Sequence, residues 1–195
     1  MFLNLTDESV AVIQWGAVMC TSLVAAGFDL RQRRIPNALT FPMLATGFVF
    51  AGMFGGLASL AEVAGACVLL SLPYVLLFVF VGGGAGDAKL MGAIGAWLGL
   101  KYGLFALVCV IIAGGGLGIA KAVSRKQLKF VLTSVFVSIY AIILLLIGRR
   151  KVRPANFETD IKQSGGLELP YGVAIFAGVC IAALITGIWG VEWIW

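Results

Sequence analysis

Histidine is absent from this chain of 195 residues, and only 12% of its residues are charged. Its four cysteines, Cys20, Cys67, Cys109 and Cys180, all sit inside apolar runs, with no C-x-x-C spacing. A zinc site and a disulfide framework therefore lack their usual ligand patterns, and the thiols read as small buried hydrophobes. There is no G-x-x-x-x-G-K-[ST] and no complete G-x-G-x-x-G behind a soluble strand, which argues against a nucleotide site. The first apolar run also lacks the basic leading flank of a cleaved signal peptide. Asp7 and Glu8 precede it while Arg31, Arg33 and Arg34 follow it, the pattern of an uncleaved anchor with its N-terminus outside.

What is present is hydrophobic. Apolar residues make up 61% of the chain and the mean hydropathy is +1.05, far outside the soluble range, so the sequence reads as an integral membrane protein with the lipid bilayer as its main partner. The formal charge of +5 does not indicate a nucleic-acid partner, because the bases lie between apolar runs and not along one amphipathic face. Runs close to or above the length that crosses ~30 Å of hydrocarbon occur at Val10 to Phe28, Ala38 to Leu57, Ala61 to Val81, Ala88 to Leu100, Tyr102 to Ala120 and Pro170 to Gly190. The expected fold class is all-α: a polytopic helical bundle of about six transmembrane helices.

Charge sets the expected orientation. With the N-terminus outside, Arg31, Arg33, Arg34, Lys89, Lys121, Arg125, Lys126 and Lys129 fall inside, and the outer ends receive Asp7, Glu8, Glu62, Glu192 and Lys101. A single long helix from Ala88 to Ala113 would bury Lys101 at mid-membrane and is rejected on that ground. The fourth run is short, so its helix must begin in the preceding glycines, thin the bilayer, or shelter against neighbours. Phe130 to Ile147 is apolar but has basic flanks at both ends, which favours an interfacial or re-entrant helix over a span. The chain is thus expected to form one membrane domain: a core over 9–120, a basic inner segment over 121–169 and a last helix over 170–195.

Two acids stand out. Asp29 ends the first helix, in Gly27-Phe28-Asp29-Leu30-Arg31-Gln32-Arg33-Arg34-Ile35-Pro36-Asn37, and Asp87 opens the fourth behind Gly82-Gly83-Gly84-Ala85-Gly86. The apolar runs place both at the inner membrane face, and no other acid at that depth. Taken singly, Asp29 could be one member of a charged loop and Asp87 a helix cap. Taken together, two neighbouring carboxyls cannot both ionise cheaply, so one holds a proton while the other is charged, and such a pair can activate water and protonate a leaving amine. The site at helix ends also has access to water. Ala88, Gly92, Gly95 and Gly99 share a helix face, and Gly114 and Gly118 form a second small-residue pair, as close helix packing requires. Pro36 presets the start of the second helix and forces Ile35 extended. Pro170-Tyr171-Gly172 reads as helix-start punctuation.

Gly84-Ala85-Gly86-Asp87 with Ala88-Lys89-Leu90 and Gly95-Ala96-Trp97-Leu98-Gly99 closely resembles the GxGD motif of the type IV prepilin peptidases, which are membrane aspartic proteases. Asp29 with Arg33, Arg34, Ile35, Pro36 and Asn37 resembles their first aspartate motif, and Pro170-Tyr171-Gly172 the short motif before their last helix. The resemblance implies cleavage of a prepilin or pseudopilin ahead of its hydrophobic helix on the cytoplasmic side, with Asp29 and Asp87 as the catalytic pair and no cofactor. Larger members of that family carry a cysteine-rich segment between the first two helices and also methylate the new N-terminus. Only Asp29 to Asn37 separates the helices here, which argues against methyl transfer and resembles the compact peptidases of tight-adherence (Flp) pili. Two rival classes are a proton-coupled carrier and a noncatalytic pilus or secretion subunit. The first would place its acids near the midplane and often shows repeats, neither of which is found, and the second would have no need of two costly acids.

Overall fold

The structure is a computed structural model that describes residues 7–81, 84–124 and 171–188. The segment Phe130 to Ile147 and Pro170 lie outside the described residues. Those described are organised as helices: Asp7–Gln32, Asn37–Val81, Ala85–Ser124 and Tyr171–Ile188. Three stretches, Ser9–Gln32, Asn37–Val79 and Ala85–Ala120, are long and apolar enough to cross a membrane, and Tyr171–Gly187 is a shorter apolar helix.

The two longest helices are each folded back on themselves. Gly56 (φ 67°, ψ −157°) and Gly99 (φ 67°, ψ −168°) occupy a backbone region essentially restricted to glycine. The Trp97 indole N–H donates to the Met43 carbonyl at 2.8 Å, while a Cβ placed on Gly95 would lie 2.8 Å from the Ala66 carbonyl oxygen. In a straight helix residues 43 and 66 would be about 35 Å apart, so they reach the same stretch only because the chain reverses at Gly56. Likewise, the Cα of Gly95 is 3.7 Å from a Cβ position on Gly103, where eight helical residues would separate them by about 12 Å. The helices are therefore α1 (Asp7–Gln32), α2 (37–55), α3 (57–81), α4 (85–98), α5 (100–124) and α6 (Tyr171–Ile188), running alternately up and down. The break at Gly99 agrees with the rejection of one long helix through Lys101.

The short fourth helix finds its explanation here. Helix α4 starts within the glycine turn, at Ala85, and is only about 21 Å long, yet every residue from Leu90 to Gly99 is buried. It is sheltered by its neighbours and does not need to match the bilayer. Gly92 and Gly95 press against Cys67 and Ala66 of α3, leaving no room for side chains. At its far end the Gln14 amide donates to the Trp97 carbonyl at 2.8 Å, Phe50 stacks on Trp97 at 5.2 Å, and the Leu100 N–H reaches the Glu62 carboxylate at 3.2 Å. Gln14 and Glu62 satisfy backbone groups that the turn at Gly99 leaves without helical partners.

The outward surface is apolar: Val12, Leu23, Leu57, Val68, Ile112 and Leu184 are exposed, as lipid-facing positions should be. Of the four cysteines, Cys109 is buried and Cys67 and Cys180 are half-buried, but Cys20 is exposed on α1. The expectation of four buried thiols is corrected at Cys20, because a thiol is apolar enough to face lipid as readily as core.

Helix α6 rests on α5, with Gly114 opposite Ala174 and Gly178 against the Val110 backbone. The Gly95 contact yields a direct test. Gly95→Ala should destabilise the protein by about 1–3 kcal/mol by overpacking, whereas Gly65→Ala, which meets nothing within 4 Å, should not. The check is thermal unfolding of both variants in detergent.

Candidate active site

Helix α1 ends in a way that presents Asp29. Arg33 takes a left-handed conformation (φ 52°) and its N–H donates to the Asp29 carbonyl at 2.9 Å, closing the last turn. Four residues, 33–36, then lead into α2, whose first turn begins with the Pro36 carbonyl accepting the Leu39 N–H at 3.0 Å. The Asp29 side chain is only 9% exposed. Its Oδ2 accepts the Gly172 backbone N–H at 2.7 Å, a bond that ties the end of α1 to the start of α6.

Asp87 stands in the first turn of α4. Its N–H donates to the Gly84 carbonyl at 3.2 Å, and its carboxylate curls back until Oδ2 lies 2.9 Å from where a Gly84 Cβ would be. Gly84 therefore gives the carboxylate room. Asp87 is half-buried, and it lies within electrostatic range of Asp29, Tyr74 and Tyr171. A pair of carboxyls in range of one another can take a proton from water with one oxygen and deliver a proton from the other.

The motif residues around the acids lock together. A Cβ on Gly86 would lie 3.0 Å from the Ile35 Cβ, so this glycine lets the α1–α2 junction seat directly on the start of α4. Lys89 donates to the Asn37 Oδ1 at 2.8 Å and its ammonium lies 5.3 Å from the Phe41 ring centroid. Ile35 is buried and Pro36 half-buried at this junction, while Arg34 is exposed and is not drawn into the site. Tyr171 is 42% exposed and adjoins Gly114. Among the described residues, no three metal-ligating side chains gather at one place.

Two features were not anticipated from the sequence. Reading Pro170-Tyr171-Gly172 as punctuation missed the Gly172 N–H, because a backbone donor leaves no mark in the sequence beyond a glycine near a helix start. Tyr74 was missed as well. It is buried within electrostatic range of Asp87, and its only signal was a phenol hydroxyl in the apolar run Ala61 to Val81.

Comparison with known proteins identifies the family. The profile of the type IV leader peptidase family matches residues 16–119. Among curated proteins, a prepilin leader peptidase/N-methyltransferase of Aeromonas hydrophila is 37% identical over 113 residues, which is 54% of this chain and 39% of that protein. One from Neisseria gonorrhoeae is 32% identical over 122 residues, 58% of this chain and 41% of its own length. One from Escherichia coli (strain K12) is 32% identical over 123 residues, 60% and 54% respectively. The chain thus spans about two-fifths to one-half of the length of these relatives. No solved structure matches it. With Asp29, Asp87, the glycine turn and the α1–α2 junction all inside the matched stretch, the chain belongs to the type IV leader peptidase family.

Proposed function

We propose that this protein is an aspartic endopeptidase that removes the leader from a prepilin at the cytoplasmic face of the bacterial inner membrane. The observation that carries the proposal is that Asp29 and Asp87, from α1 and α4, come to one end of the bundle, where Ile35 of the α1–α2 junction seats on Gly86 and Asn37 accepts from Lys89. The names of the curated relatives supply the substrate class, a prepilin with its leader. The short linkage of α1 to α2 through residues 33–36 supports the compact form with an Flp-type prepilin as substrate, and leaves no room there for a segment serving methyl transfer. In this reading the six helices α1 to α6 cross the bilayer with the N-terminus outside. That orientation sets Arg31, Arg33, Arg34 and Lys89 on the side of the two acids. The activity would support pilus assembly or secretion.

The proposed reaction runs in two steps. The ionised carboxylate takes a proton from water as its oxygen attacks the scissile carbonyl, and the protonated carboxyl donates to the carbonyl oxygen, forming a tetrahedral intermediate. The intermediate then collapses with breakage of the C–N bond: the carboxyl that took the water's proton gives it to the leaving amine, while the other carboxylate takes a proton back from a hydroxyl of the intermediate, releasing the leader acid and the mature N-terminus and restoring both carboxyls. Placement at helix ends lets water reach the pair.

On co-expression with an Flp-type prepilin from the same genome, wild type should yield shortened pilin, while Asp29→Asn and Asp87→Asn, checked for membrane insertion, should not. Processing by both single mutants above a host-only control would reject the pair. The pH profile of kcat/KM should be bell-shaped. Activity falls on the acid side as the working carboxylate gains a proton, and on the alkaline side as the working acid loses its own; a flat profile would contradict the mechanism. Gly86→Val, which pushes Ile35 away from α4, should lower cleavage on the order of 100-fold by misplacing the acids, read from initial rates at equal membrane levels.

A further inference from the structure

We propose that the first turn of α6 is a positioning element for the aspartate pair: the Gly172 N–H holds one oxygen of Asp29 and leaves the other to face Asp87 and the attacking water. This inference rests on the peptidase reading for its use in catalysis, while the bond itself does not.

Several observations carry it. The N–H to Oδ2 distance of 2.7 Å is in the range of a charge-assisted hydrogen bond. The donor comes from a first helical turn, whose N–H groups have no partner inside the helix. Asp29 is almost wholly buried, where a carboxylate oxygen without a donor would be costly, and the backbone of α6 supplies that donor.

Steric fit makes the contact depend on glycine. A Cβ at 172 would lie 2.9 Å from the Asp29 Cβ, 3.1 Å from its Oδ2 and 3.3 Å from the Ala26 Cα. No other residue lets the two backbones approach this closely. The neighbouring Tyr171 lies in electrostatic range of Asp87.

The contact is delivered by packing, since 143 positions of sequence separate its partners. Helix α6 is seated on α5 by Gly114 against Ala174 and by Gly178 against Val110. Residues 171–188 lie beyond the stretch 16–119 matched by the family profile, so the comparison assigns α6 no part in the site. The geometry does assign it one.

The test removes the donor without adding bulk. Glycolic acid incorporated at position 172 by nonsense suppression in cell-free synthesis converts the amide to an ester and deletes only the N–H. Cleavage of a full-length prepilin should then show kcat lowered roughly 10- to 100-fold with KM within about twofold of wild type, in protein that still unfolds in one cooperative thermal transition. Gly172→Ala should lower kcat similarly through its clash with Asp29. In protein labelled with ¹⁵N-glycine, the Gly172 amide proton should move upfield on Asp29→Asn. An ester variant with wild-type kcat, or a Gly172 amide indifferent to Asp29→Asn, would overturn the proposal. If no form of the protein cleaves prepilin but the Gly172 resonance still responds, the peptidase reading fails and the bond to Asp29 stands.

Discussion

Close backbone approach around α4 is the constraint on which the rest of this structure depends. A helix of about 21 Å cannot cross a bilayer alone, and an acid in its first turn cannot be left in hydrocarbon. Both difficulties are met by enclosure. Gly92 and Gly95 let α3 lie directly on α4, and the ten residues from Leu90 to Gly99 are buried. Lipid contact is left to the outer helices, whose apolar side chains lose nothing by it. The far end of α4 is held by Gln14, Met43, Phe50 and Glu62, from three other helices. Those anchors fix the height and rotation of the helix, and so of Asp87.

The site then forms from groups that helix ends leave unpaired. Asp29 ends α1, Asp87 opens α4, and Gly172 opens α6 with an N–H that has no partner in its own helix. Ile35 against Gly86, and Asn37 with Lys89, join the first two of these ends. Glycine acts by its missing side chain at each junction, making room for a carboxylate at 84, for a neighbouring loop at 86 and for a neighbouring helix at 172. The bundle's far end relies instead on an amide and a carboxylate reaching across to the turn at Gly99 and on the Trp97 indole reaching from it to Met43.

Much of this was legible in the sequence because membranes penalise charge so heavily. An acid at the edge of an apolar run is expensive, so Asp29 and Asp87 stand out without any knowledge of the fold. The glycine faces of the fourth helix could be read from the helical period, and the reversal near Lys101 from the cost of burying it. The positions of the turns were less legible. They fall at Gly56 and Gly99, inside the apolar runs, because only glycine accepts that backbone conformation and several glycines were available. The exposure of Cys20 and the peripheral place of Arg34 could not be read either, since neither hydropathy nor motif membership says which way a side chain points.

The sequence by itself determined that this is a helical membrane protein, where its apolar runs lie, and which two acids need an explanation, because hydropathy and the cost of charge are properties of local composition. Only the tertiary structure decided that α4 is wrapped by its neighbours, that Tyr74 is buried within electrostatic range of Asp87, and that Gly172 donates to Asp29. Those facts depend on backbone groups and packing distances between residues far apart in the chain. A donor that every residue but proline possesses becomes specific only when folding brings it to an acceptor.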